Sequence, residues 1–133
     1  MKHDKLVRDE IPLIIRKTGT IPIIHLASED EYQKRLGAKL QEEVTEYLED
    51  PNGEELADIL EVIYALCSLH EIDKDKLEKI RKEKAEKRGV FKDRIILDET
   101  IQRDSWSAAI TTSSSTYVEY LPSNSFIFPI EIG

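Results

Sequence analysis

Four acids stand out by type and spacing: Glu43 and Glu46, three residues apart, and Glu55 and Asp58, three apart again. In a chain with 27 acidic residues that spacing is common by chance, so position on a helix says more. At about 100° per residue, Glu43 falls on the side of Leu36, Leu40 and Tyr47. Glu46 lies on the border of that stripe, and Glu42 points roughly the opposite way. Further along, Glu55 lines up with Ile59, Val62 and Leu66, with Asp58 beside it. Each stretch therefore places one carboxylate in its apolar stripe and one at the edge. A short turn joins the two stretches, which makes them antiparallel neighbours. Facing pairs would bring four carboxylates into one small space. Buried carboxylates are costly unless compensated, and their mutual repulsion raises their pKa values. A divalent cation relieves both problems. Magnesium takes oxygen ligands and keeps waters for a substrate. A di-iron bundle would instead carry Glu-x-x-His, and none of His3, His25 and His70 has an acid three residues before it. The acids thus point to magnesium or manganese. The same pattern also fits ordinary amphipathic helices whose border acids pair with lysines.

Cations form a second group. Leu77, Ile80, Lys84 and Arg88 share one helical face, apolar at its start and cationic at its end. Two cations ending such a line can contact phosphates, or they can simply favour a helix C-terminus. Lys5 and Arg8, three apart near the N-terminus, are a similar pair.

These residues need helices to position them. A short helix is expected from about Asp9, where an early Pro12 is tolerated, to Gly19. The β-branched run Ile21–Leu26 reads as extended. Ser28 followed by Glu31 is a capping-box signature, opening a helix to about Glu49. Asp50-Pro51-Asn52-Gly53 is a turn by composition. The next helix, from about Glu54 to His70, is apolar on most sides and belongs at the centre of a bundle. Asp73 can cap a further helix that runs to about Arg88 and ends at Gly89. Cys67, in the apolar helix, reads as core.

Beyond about Glu99 the character changes. Residues 104–133 contain no Lys or Arg, and 111–116 are all Ser or Thr. Two β-like runs follow, Tyr117–Leu121 and Phe126–Ile132, and Trp106 precedes them as a residue that could stack on a base or pack within the tail. The expected division is a helical catalytic domain over 1–100 and an extended tail over 101–133.

The remaining composition bounds the function class. The chain has 133 residues, a net charge of −8 and a single cysteine. An acidic chain lacks the basic face that duplex nucleic acid requires, yet it can bind a triphosphate through a divalent cation. One cysteine cannot form an internal bridge, which fits a reducing compartment. The first ten residues lack a signal peptide's apolar core, and no apolar run approaches membrane-spanning length. A soluble, cytoplasmic protein is expected.

Taken together, the motifs resemble the MazG-like superfamily of all-α nucleoside triphosphate pyrophosphohydrolases. Lys5-Leu6-Val7-Arg8-Asp9-Glu10-Ile11-Pro12 is similar to the opening of its house-cleaning branch. Glu42-Glu43-Val44-Thr45-Glu46 matches E-E-x-x-E, and Glu55-Leu56-Ala57-Asp58 matches E-x-x-D. The segment from Lys84 to Phe91 is similar to the closing K-x-x-x-R segment. The linker between Glu46 and Glu55 is shorter than in many MazG proteins. Arg81-Lys82-Glu83 stands where many relatives place an Asn. The resemblance implies a helical bundle completed as a homodimer or homotetramer, and hydrolysis of a nucleoside triphosphate, normal or non-canonical, to the monophosphate and pyrophosphate. It implies that Glu43, Glu46, Glu55 and Asp58 bind magnesium and that Lys84 and Arg88 contact phosphates. Glu46, at the stripe border, is the acid best placed to orient or deprotonate the attacking water. Two other readings stand beside this one: a phosphoribosyl-ATP pyrophosphohydrolase, and a non-catalytic helical dimer that binds a nucleotide or a protein partner.

Overall fold

The computed structural model describes residues 1–102 and the strand residues 117–120 and 126–130. Two compact units divide the chain, Met1–Gly89 and Val90–Gly133.

The first unit is all-α. Helix α1 spans Ile11–Lys17, α2 Glu29–Glu49, α3 Gly53–Leu69 and α4 Lys74–Arg88. Their ends are set by local chemistry. Pro12 sits in the first turn of α1, where its missing N–H is no loss. Gly19, at φ +85°, follows that helix in the left-handed conformation glycine tolerates. Ser28 accepts a hydrogen bond from the Glu31 amide at 3.2 Å and so caps α2. Three acids, Glu29, Asp30 and Glu31, lie at the positive end of that helix. Asn52 caps α3 by accepting from the Glu55 amide at 3.0 Å. Asp73 caps α4 by accepting from the Lys76 amide at 2.7 Å. Gly89 at φ +82° ends α4, and the compact helical unit ends with it. His70 closes α3, and the turn beyond is held by the Ile72 amide donating to the Cys67 carbonyl at 2.8 Å.

The main packing within the unit is α2 against α3, with α4 joined more lightly to α3. Leu36 on α2, with Val62 and Cys67 on α3, are the buried apolar side chains among the described residues. That is a small core. Leu56 and Leu60 on α3 and Leu48 on α2 are exposed, as are Ile21, Ile23, Ile24 and Leu26 in the connection before α2. The run Ile21–Leu26 has no regular secondary structure. Pro22 there cannot donate to a ladder, and the described residues supply no strand beside it. No helix among the described residues is long and apolar enough to cross a membrane.

In the second unit, strands β1 (Tyr117–Tyr120) and β2 (Phe126–Ile130) pair antiparallel. Tyr117 stands opposite Ile130 and Tyr120 opposite Phe126, with an irregularity between Val118 and Tyr120. The described residues of both β-like runs therefore form strands. Trp106 and the Ser/Thr tract 111–116 lie outside the described residues.

Candidate metal centre

The α2–α3 pairing gathers three of the four acids. Glu43, Glu55 and Asp58 each offer a carboxylate oxygen, and these oxygens lie within 4.8 Å of one another. Glu43 reaches the cluster from α2. Glu55 and Asp58 reach it from the first turns of α3, where the Asn52 cap fixes the Glu55 backbone. Glu43 is only 6% exposed, while Glu55 and Asp58 are half-buried. Glu46 is exposed and stands outside the three-acid group, yet its charge is near enough to act on Glu43.

Two oxygens in this cluster, Oε2 of Glu43 and Oε2 of Glu55, are buried without a hydrogen-bond partner. Buried polar atoms are nearly always satisfied, and an unsatisfied anionic oxygen is the costliest kind. Burial pushes the Glu43 carboxyl above its ordinary range. The hydrogen bond and positive charge of Lys39 oppose this, and the charges of Glu46 and Asp58 add to it. A hard cation accepting oxygen ligands would satisfy both orphaned atoms at once, so these residues fit a divalent cation of that kind.

Cations already approach the acids from two directions. Lys39, one turn before Glu43, places Nζ 3.1 Å from Glu43 and 3.3 Å from Glu42. Burial disfavours the charged ammonium, but the hydrogen bonds and charges of these two acids outweigh it and raise the Lys39 pKa. The N-terminal arm supplies the others. Arg8 Nη2 donates to Asp58 Oδ1 at 2.7 Å, and Lys5 Nζ lies 3.5 Å from Glu42. Arg8 thus touches the acid cluster and Lys5 its neighbour Glu42, 50 and 37 residues along the chain from their partners. Glu42, on the other side of the helical wheel from the Glu43 stripe, is paired with two cations. It is half-buried between Lys5 and Lys39, because the arm lies along that face of α2.

Lys84 and Arg88, on α4, are exposed and have no ion-pair or hydrogen-bond partner among the described residues. Half-buried positions of α4 are Leu77 and Ala85, while Ile80 is 39% exposed.

Over 42 residues the chain is 55% identical to an uncharacterized protein of Mycolicibacterium smegmatis. That match takes in 32% of this chain and 43% of the relative, so the chain spans less than half of the relative's length. No family model matches the chain, and no solved structure matches it.

Lys39 was missed by the reading of the sequence, although its signal was there. A lysine four residues before a stripe carboxylate, and three before another, faces both on one helix. Asn52 was read only as part of a turn. An Asn three residues before Glu55 is also an N-cap signature.

Proposed function

We propose that the helical unit hydrolyses a nucleoside triphosphate to the monophosphate and pyrophosphate with magnesium, as its resemblance to MazG-like enzymes implies. One observation carries the reading: three carboxylates from two antiparallel helices converge, and two of them keep a buried oxygen with no partner. A scaffold gains nothing from that arrangement, whereas a cation would use the unpartnered oxygens as ligands.

Glu43, Glu55 and Asp58 would hold the cation, with Glu46 at the exposed rim. Bound magnesium would neutralise polyphosphate charge and lower the pKa of a coordinated water. Glu46, exposed beside the cluster, orients or deprotonates the attacking water. Lys84 and Arg88 contact the phosphates and stabilise charge on the departing pyrophosphate. Lys39 holds the Glu43 carboxylate through its ion pair.

The active species is a homodimer or homotetramer. What supports this is the small core among the described residues of the helical unit and the exposed Leu56 and Leu60 of the mostly apolar α3. A monomeric mass by sedimentation at micromolar concentration, with full activity, would overturn it.

The direct test is pyrophosphate release from a panel of normal and modified nucleoside triphosphates, with phosphoribosyl-ATP included, in magnesium and in EDTA. Magnesium-dependent release from a triphosphate is expected, and the preferred member of the panel separates the two enzyme readings. Absence of release from every member would leave the helical binding dimer.

A further inference from the structure

The N-terminal arm meets the acid cluster through residues that do not belong to it. Asp4 is tied to α2 by Arg35, whose Nη1 donates to the Asp4 carbonyl at 2.8 Å and whose Nη2 donates to Oδ1 at 2.8 Å. Beyond this hook, Lys5 reaches Glu42, and Arg8 ends on Asp58 at 2.7 Å. Leu6 and Val7, between them, are half-buried. The chain then enters α1 at Ile11. The arm is thus fastened at Asp4, and its guanidinium lies against one of the three carboxylates.

Resting on the metal reading above, we propose that the arm is a displaceable strap whose Arg8 serves as counter-charge to Asp58 until a divalent cation takes that carboxylate. Two features of the geometry favour displacement over a permanent brace. Arg8 satisfies Asp58 but leaves Oε2 of both Glu43 and Glu55 without a partner, so the strapped state is incomplete. The pair is also solvent-accessible, with side chains 54% and 38% exposed, and exposed pairs are weak. Lys39 differs from Arg8. It is built into α2 beside Glu43 and stays when the arm leaves. A released Arg8 is free to meet an anionic ligand that follows the cation, which would order loading: cation first, then phosphate.

The test measures magnesium affinity by calorimetry, and hydrogen exchange of residues 4–9, on the full chain without nucleotide. Three proteins are compared: wild type, Arg8→Ala and Asp4→Ala. Magnesium should speed exchange in the wild-type arm, with sodium at matched ionic strength as control. Arg8→Ala should bind magnesium more tightly, by roughly fivefold, the scale of one exposed ion pair. Asp4→Ala decides between release and simple charge. Removing an acid should weaken cation binding if only the overall field matters, whereas unhooking the strap should tighten it. Unchanged arm exchange, weaker binding by Arg8→Ala, or weaker binding by Asp4→Ala would each overturn the strap while leaving the metal site standing. No magnesium binding by any of the three proteins would overturn the metal site and the strap with it.

Discussion

The α2–α3 pair and helix α4 carry opposite halves of the proposed chemistry, and they are built differently. Between α2 and α3, Leu36, Val62 and Cys67 are buried, and the same packing draws Glu43, Glu55 and Asp58 together. The charges there are crowded and under-compensated. On α4, Lys84 and Arg88 stand exposed, and the helix meets α3 only lightly. The acid half is thus assembled by packing between two helices, whereas Lys84 and Arg88 have no ion-pair or hydrogen-bond partner among the described residues. Positioned, desolvated charge is costly to the fold and is kept where chemistry needs it. Exposed charge costs little and contributes through long-range attraction. The two halves should therefore respond very differently to substitution.

The largest effect is expected in the acid half. Glu43→Gln or Asp58→Asn should lower turnover by at least about a hundredfold, since even outer-shell partners of a metal cost ~10–100-fold. Circular dichroism should show the helices intact, because neither residue is part of the apolar core. Wild-type turnover by either folded variant would break the metal assignment.

A smaller effect is expected on α4. Lys84→Ala and Arg88→Ala should each lower kcat/KM by about tenfold or more, the scale of one charge-assisted hydrogen bond. Their melting temperatures should match wild type, since neither side chain has a partner among the described residues. A drop in stability with unchanged kcat/KM would mean that both residues only complement the helix end.

How much of this was legible in the sequence follows the same division. Helix ends were readable where a cap is local: Ser28 with Glu31 and Asp73 with Lys76 each act within one turn, and Gly89 ends α4 against the Ala85 carbonyl. The convergence of Glu43, Glu55 and Asp58 was readable because helical period and a short turn together fix which faces meet. Glu46 falls outside the three-acid group because a border position gives a direction without a depth. The pairing of Arg8 with Asp58 was not readable. It joins residues 50 apart, and nothing periodic chooses one guanidinium among 19 basic side chains. The extended reading of Ile21–Leu26 yielded no strand, because β-branched residues form one only beside a partner that satisfies their backbone.

The smallest effect is thermal, and its sign is the sharpest test of the crowded half. Burial first, and then the charges of Glu46 and Asp58, raise the folded-state pKa of Glu43 against the pull of Lys39. The folded chain therefore keeps this proton at pH values where the unfolded chain, near about 4.3, has lost it. The resulting stability is fully present below the unfolded pKa and is lost as pH rises through the folded one. Without magnesium, wild type should lose stability over this window more steeply than Glu43→Gln. At pH 8 the variant should melt higher by a few degrees, the response of a domain this size to roughly 1 kcal/mol. The neutral amide adds a donor beside the acceptors of Glu55, and Lys39 keeps Glu42 as its partner. Magnesium reverses the slope. Its ligands must be ionised, so it should raise the wild-type melting temperature more at pH 8 than at pH 5, and Glu43→Gln should lose most of that gain. Any cation relieves repulsion in a chain of net charge −8, so sodium at matched ionic strength is the reference. A magnesium shift no larger than sodium's, or one undiminished in Glu43→Gln, would take Glu43 out of the metal site. A variant that melts below wild type at pH 8 without magnesium would show that the Lys39 pair outweighs the burial of its partner.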